Sequence, residues 1–415
     1  MRYIILMLIV PLFVFSLNAQ LCTNDNRFTN TPFFSDGEVS SQLDVTFGNA
    51  VDWQGNNVTL KLDAYYPTLS VDTLPLRPLI LLVHGGGLIG GDKINYTRVC
   101  KEFAKRGFVA VTINYRLGLN CNLDTISEEK AKYRAQQDIS AAFRFVAQNA
   151  SLLRVDTSWM FIGGGSAGSV AALGLIYVSQ SEWNNYTPSL QSLLGDINSS
   201  GNNLTNSYSI KGVYNDWGGM LKTSLQPSEM LPMVSFHGDA DNTVAIDSAE
   251  GGGCINVETA YGSRSLHNLL VENGVCSDLS VKVGGGHGVF QDSLIGIPFR
   301  VGRAACFFKS LFCNNCQSFY QLDSVAANCS QINNISEILE KNKIKIYPNP
   351  FIDKIKVLNF YGNEVFKLSN QLGQIIYEGQ SIEGEDFTEL PEGIYFLKIE
   401  QKDQMQYLKL VKENE

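Results

Sequence analysis

The sequence predicts an α/β fold, a mostly parallel, doubly wound sheet, followed by a small C-terminal β-sandwich. Three observations carry the prediction. From about Leu79, apolar β-branched runs alternate with stretches of helical periodicity, the pattern of parallel strands and the helices that cross between them. Residues 161–170, FIGGGSAGSV, pass from an apolar strand through glycines and one serine into small residues. After Cys329 the chain turns polar, and from Ile344 it breaks into short alternating segments separated by Pro, Gly and Asn.

Residues 1–19 carry one early cation, Arg2, an apolar run from Tyr3 to Leu17 and a small residue at Ala19. The run is shorter than the ~20 residues of a spanning helix and is broken by Pro11, so it reads as a cleaved signal peptide. A chain of 415 residues exceeds what one core usually serves. We therefore divide the rest into a catalytic domain over 20–330, a linker over 331–343 and the β-sandwich over 344–415.

Within the first domain, Leu79–Val83 and Val109–Tyr115 read as buried strands. Ile139, Ala142, Phe143 and Val146 place an apolar stripe on a helix between Ser127 and Ala150. A strand at Trp159–Ile162, a helix at Ala167–Val178 and strands at 210–214, 233–237 and 279–283 follow, with a helical stretch over 259–273 before the last. Residues 181–208, rich in Asn, Ser and Gly, read as an insertion over the sheet edge, either a lid or substrate wall or a plain surface loop.

Hydrophobic residues make up 44% and charged residues 18%, enough apolar material for a sizeable core. The formal net charge of −9, with Lys and Arg scattered, offers nothing to neutralise phosphates and excludes nucleic acid as a partner. Export turns the nine cysteines into disulfide candidates with one left unpaired, and sets CNNC at 313–316 apart from the half zinc site its spacing would otherwise suggest.

The segment Gly164-Gly165-Ser166-Ala167-Gly168 fits G-x-S-x-G, a pattern expected about 0.3 times by chance in so glycine-rich a chain, so its context decides. A strand before and a helix after would strain the serine backbone and raise its hydroxyl above the sheet. HGGG at 84–87, directly after a strand, is far rarer, with a chance expectation of roughly 0.003. Backbone N–H groups of Gly86 and Gly87, joined by that of Ala167, would form an oxyanion hole. A serine needs a base. His287 sits in a glycine-rich loop after a strand, whereas His267 lies among leucines on a helical stretch and reads as structural. Asp239, Asp241 and Asp216 are all open as the acid that orients it.

At these residues the chain resembles secreted α/β-hydrolases of the carboxylesterase/lipase type over roughly residues 40–320. The order Ser166, Asp241, His287 is that family's order. His237, Gly238, Asp241 and Val244 fit the His-Gly-x-x-Asp-x-x-Val pattern of many relatives, which favours Asp241 as the acid. The resemblance implies the α/β-hydrolase fold, ester hydrolysis through an acyl-enzyme, no metal or organic cofactor, and a loop-supporting role for His84. Gly165 departs from it: the type-B and hormone-sensitive-lipase-like branches usually carry an acidic residue there, so the branch and the substrate stay open.

YPNP at 347–350, GIYFLKI and the closing YLKLVK resemble the C-terminal sorting domain of the type IX secretion pathway of Bacteroidetes. This implies transit through the periplasm, the secretion machinery as a partner, and a secreted or cell-surface location. Trp183, Tyr186, Tyr208 and Trp217 are aromatic candidates for binding an ester, with Trp183 and Trp217 foremost. Export favours an extracellular or polymer-derived ester over a metabolic one as the substrate. A serine peptidase on the same fold and a catalytically silent binding protein are the rival readings.

Overall fold

Strand β3 (Arg77–Val83) shows how the sequence builds the sheet. Leu79, Leu81 and Val83 enter one apolar core, and Ile80 and Leu82 enter another on the opposite face. A strand apolar on both sides belongs in the middle of a sheet covered by helices on both faces. The computed structural model describes residues 21–120, 122, 126–220, 225–250, 259–292, 294–323, 329, 345–358, 364–371, 373–401 and 404–413. The expected signal peptide over 1–19 and the linker over 331–343 lie outside them. The chain divides into two compact units, Met1–Ile332 and Asn333–Glu415.

The first unit contains β1 (Val39–Val51), β2 (Asn57–Pro67), β3 (Arg77–Val83), α1 (Thr97–Ala104), β4 (Val109–Ile113), α2 (Ser127–Gln148), α3 (Ala150–Leu153), β5 (Val155–Gly165) and α4 (Ala167–Tyr177). It continues with α5 (Gln180–Tyr186), α6 (Ser189–Leu194), β6 (Ile210–Asp216), β7 (Gly219–Met220), β8 (Met233–Gly238), β9 (Ser248–Glu250) and β10 (Thr259–Gly262). Helix α7 (Ser263–Glu272), β11 (Ser277–Lys282), α8 (Gly296–Phe312) and β12 (Phe319–Leu322) complete it. The nine-stranded sheet runs β1-β2-β4-β3-β5-β6-β8-β11-β12. Only the β1–β2 and β2–β4 pairs are antiparallel; from β4 to β12 every pair is parallel. The carboxyl ends of β3, β5, β6, β8 and β11 therefore share one edge, where ligands of open α/β sheets bind.

Helix α2 was expected to end at Ala150 and ends at Gln148, and the stretch over 259–273 opens as strand β10 before α7 begins. The two N-terminal strands and α8 carried no sequence expectation. Helix α8 is buried over most of its surface, Arg300, Arg303, Cys306, Phe307 and Phe308 included, so it shows no clean amphipathic stripe.

Residues 181–208, open between a lid or substrate wall and a surface loop, carry α5 and α6, which with the following loop pack along α2; one expectation within them, that of Trp183, is corrected. The Tyr133 hydroxyl donates to Gly195 C=O at 2.7 Å, and the Arg144 guanidinium donates to Ser200 C=O at 2.8 Å. Trp183 goes with them. It is 4% exposed in a cluster with Tyr133, Leu190 and Ile197, and its indole N–H donates to Gln136 at 2.8 Å. With its polar edge satisfied and its faces packed, it is a core residue and not part of a substrate wall.

The cysteines pair at long range: Cys22–Cys313, Cys276–Cys316 and Cys306–Cys329. The two cysteines of CNNC thus bind separate distant partners. Cys100 is free and buried, and Cys121 and Cys254 lie outside the described residues.

The second unit consists of β13 (Lys345–Tyr347), β14 (Lys356–Leu358), β15 (Val365–Asn370), β16 (Ile375–Gly379), β17 (Gly393–Gln401) and β18 (Gln404–Lys412). These form a two-stranded and a four-stranded antiparallel sheet over one core that includes Phe351, Ile355, Phe366, Leu368, Ile382, Leu397 and Leu410.

Candidate active site

Strand β5 ends at Gly165, and Ser166 takes φ +52° and ψ −125° before α4 starts. A non-glycine residue is held there only when its surroundings fix it. The Ser166 N–H donates to Asp216 C=O at 3.0 Å, tying the turn to the end of β6. Close approach of strand and helix explains the small neighbours: a Cβ on Gly168 would come within 2.7 Å of the His84 carbonyl carbon.

The loops after β8 and β11 bring the other two polar groups to Ser166. His287 Nε2 lies 2.9 Å from Ser166 Oγ, and its Nδ1 lies 2.8 Å from Asp241 Oδ2. The N–H groups of Thr243 and Val244 donate to Asp241 Oδ1 at 2.8 and 3.0 Å. Burial opposes the Asp241 charge, but hydrogen bonds from His237, His287 and these two amides outweigh it and hold the carboxyl well below the usual range. An ionised Asp241 accepts from His287 Nδ1–H and leaves Nε2 free to accept from the serine hydroxyl.

Asp239 and Asp216 are elsewhere engaged. Gly284 N–H donates to Asp239 at 2.6 Å, and Asp216 is buried against Arg300. His267 is buried beside Ser277, with its Nδ1 2.9 Å from the hydroxyl, as its leucine-rich helix suggested.

Gly86 and Gly87 adopt φ +113° and +63°. The loop folds on itself, with Ile89 and Gly90 N–H donating to Gly86 C=O at 3.1 and 3.0 Å. No described residue accepts a hydrogen bond from the N–H of Gly86, Gly87 or Ala167. Ala167 opens α4, so its N–H is one of the helix's unpaired N-terminal donors. His84 supports the loop: burial lowers its pKa, its Nδ1–H donates to Gly85 C=O at 2.7 Å, and its ring stacks on Tyr115 with centroids 4.5 Å apart.

Trp217 follows β6 at φ +39°. Its ring centroid is 6.4 Å from that of His287 and 5.0 Å from the Arg300 guanidinium carbon. Tyr208 instead stacks on Phe143, 4.8 Å away, and Tyr186 is exposed next to Trp183.

Sequence reasoning missed the polar support of the acid. His237 Nε2 lies 2.8 Å from Val244 C=O and 3.2 Å from Asp241 Oδ2, while its Nδ1 lies 2.7 Å from Ser263 Oγ. Asn215 joins this chain, donating to Ser263 Oγ at 3.0 Å and accepting from the Ser169 hydroxyl. The His-Gly-x-x-Asp-x-x-Val spacing was the available signal, since it carries the ring to the loop that it braces. For Arg300 and Tyr96, both beneath the serine turn, the sequence held no signal.

Residues 62–218 match the family model described as BD-FAE, and residues 345–413 match the secretion system C-terminal sorting domain. Human carboxylesterase 3 is 33% identical over 117 residues, 28% of this chain and 20% of that protein. The probable isoprenylcysteine alpha-carbonyl methylesterase ICMEL1 of Oryza sativa subsp. japonica is 27% identical over 270 residues, 59% of this chain and 57% of that one. The apo form of esterase 2 of Thermogutta terrifontis superposes with a TM-score of 0.46 at 21% identity, covering 65% of this chain and 93% of that one. The chain spans about a fifth of the length of the human carboxylesterase it matches.

By its sheet order and its elbow, the first unit has the α/β-hydrolase fold. Over part of its length the chain is similar to carboxylesterases, and the sorting-domain match indicates export through a type IX system to the cell surface or beyond.

Proposed function

We propose that this chain is an exported serine hydrolase of carboxylic esters with Ser166, His287 and Asp241 as its catalytic residues. The observation that carries the reading is the unbroken hydrogen-bond chain from Ser166 Oγ through His287 to Asp241, beside three backbone N–H groups with no described acceptor.

Ser166 Oγ attacks the ester carbonyl carbon as its proton passes to His287 Nε2. The tetrahedral oxyanion takes hydrogen bonds from the N–H groups of Gly86, Gly87 and Ala167, and one such donor contributes about 2.7–4 kcal/mol. Asp241 fixes the imidazole tautomer and stabilises the imidazolium. His287 then protonates the departing alcohol, and a water activated by the same nitrogen attacks the acyl-enzyme and frees the acid. Trp217, beside the base, forms one wall for the substrate, an extracellular ester and in particular one carried by a polymer. Residues 1–19 direct the chain to the periplasm, and residues 344–415 hand it to the secretion machinery.

The test is hydrolysis of p-nitrophenyl esters by the mature enzyme, beside feruloyl and acetyl-xylan substrates, together with labelling by a fluorophosphonate. Folded Ser166→Ala should lose both labelling and turnover; wild-type turnover in that variant overturns the assignment. Cleavage of aminoacyl-nitroanilides without ester cleavage would make the enzyme a peptidase, and absence of labelling in the wild type would make it a binding protein.

A further inference from the structure

The proposed mechanism makes no use of Arg300, yet this side chain contacts the end of β6 that holds the Ser166 turn and the loop that carries His287. Its guanidinium is 3% exposed and pairs with the fully buried Asp216 carboxylate. It donates to the Tyr214 hydroxyl at 2.8 Å through Nη1 and to Phe290 C=O at 2.9 Å through Nε. Its face covers the Trp217 ring. Asp216 is the residue whose own carbonyl receives the Ser166 N–H, and its carboxylate also accepts from Tyr96 at 3.2 Å.

Three non-glycine residues around this group have positive φ: Ser166 at +52°, Trp217 at +39° and Phe290 at +53°. Such residues keep these angles only when neighbours over-determine them. Phe290 is directly bonded to the guanidinium, Trp217 is stacked on it, and Ser166 is connected through Asp216. A buried ion pair is no stabiliser in itself, because desolvation cancels much of its attraction. What this pair supplies is direction: the rigid planar fork of an arginine addresses several acceptors at fixed angles.

The His287 loop is where direction is needed. Gly284 and Gly288 flank the histidine at φ +65° and +80°. The near side of the loop is held to the acid loop, with Ala240 N–H donating to Gly285 C=O at 2.9 Å. On the far side, Phe290 C=O is held by Arg300. We propose that Arg300 is a positioning residue: its guanidinium ties the β6–Ser166 turn to the His287 loop and so sets the distance between base and nucleophile. The proposal rests on the catalytic reading above.

The test compares Arg300→Met and Arg300→Lys with Arg303→Met in the full mature enzyme. Arg303 lies on the same helix and makes a buried pair with Asp278, away from these turns. A misplacement of about 1 Å in a catalytic geometry costs on the order of 10²-fold in rate, so Arg300→Met should lose about that much kcat on p-nitrophenyl acetate with KM nearly unchanged. Fluorophosphonate inactivation should slow in parallel. Arg303→Met should lose comparable thermal stability and keep kcat. Arg300→Lys preserves the charge at Asp216 but not the fork, and should resemble the methionine variant; it also decides the matter if Arg300→Met does not fold. Wild-type kcat in Arg300→Lys, or equal kcat losses in the Arg300 and Arg303 variants, overturns the proposal. Ser166→Ala, assayed alongside, separates the layers. If that variant keeps its rate, the catalytic reading falls and this inference with it; if it is dead while Arg300→Lys is unaffected, only this inference falls.

Discussion

The Tyr96 hydroxyl occupies the space that a side chain on residue 165 would need. A Cβ there would press into Tyr96 Oη and reach within 3.4 Å of the Trp217 indole. The position next to Ser166 therefore takes glycine, because a tyrosine bonded to Asp216 fills the space a side chain would need. Gly165→Ala should overpack the turn and cost about 1–3 kcal/mol. Adding Tyr96→Phe should return part of that loss, since the two residues are in contact and their effects couple. Urea unfolding of the two single variants and the double variant gives the answer, and strict additivity would show that the contact is not the cause.

The two glycines proposed to hold the oxyanion, Gly86 and Gly87, should respond differently to one methyl group. At Gly86 (φ +113°), a Cβ would fall 2.6 Å from the Gly90 carbonyl carbon; at Gly87 (φ +63°), it would meet nothing within 4 Å. Gly86→Ala must shift the loop and misdirect its donors, so kcat should drop about 10²–10³-fold, the effect of losing one oxyanion donor. Gly87→Ala asks only for a left-handed alanine, a strain of roughly 1–2 kcal/mol, and should keep most of its activity. Equal losses in steady-state kcat would mean that the loop does not act through its backbone.

The Asp241 carboxyl lies below its ordinary range in the folded protein, so the unfolded chain binds that proton more readily. The resulting stabilisation is complete above the unfolded value of about 3.9 and is lost as the pH falls through the folded value. Asp241→Asn carries no such charge. The gap in unfolding free energy between wild type and this variant should narrow as the pH falls below about 4. A gap unchanged below that point would remove the ionised carboxylate from the account. At neutral pH the same substitution should lower kcat by about 10⁴, as expected when the histidine loses its tautomer.

What the sequence disclosed followed local pattern. Strands β3, β5 and β8 are apolar runs that end in conspicuous residues, so HGGG, the serine turn and the His237–Asp241 loop were all readable, and with them the edge of the sheet where they meet. Trp183 was misread because an aromatic in a polar stretch looks available until the Gln136 amide and the Tyr133 ring are seen to enclose it. Arg300 and Tyr96 were invisible for another reason. Their partners are 84 and 120 residues away in the chain, and no short-range pattern records such a contact. Helix α8 hid itself by being buried on nearly every side.

The disulfides yield a prediction that separates stability from catalysis. Cys22 and Cys313 are 291 residues apart, so their bond ties the N-terminal segment to the end of α8 and closes nearly the whole first unit. That segment places Leu21 and Phe28 in the core beneath α8, and Lys309 on α8 donates to the carbonyls of Asp25 and Arg27 at 2.8 and 3.1 Å. Closing so long a loop limits the unfolded chain, and losing a native bridge typically costs about 2–5 kcal/mol. None of these residues touches Ser166, His287 or Asp241. The Cys22→Ser/Cys313→Ser double variant should therefore unfold at a lower temperature and at lower denaturant, with wild-type kcat and KM well below its melting point. Replacing both cysteines avoids a stray thiol that would exchange with Cys276–Cys316 or Cys306–Cys329. If the double variant melts with the oxidised wild type, the bridge adds no stability; if it is stable but slow, the N-terminal segment reaches the site by a route these contacts do not contain.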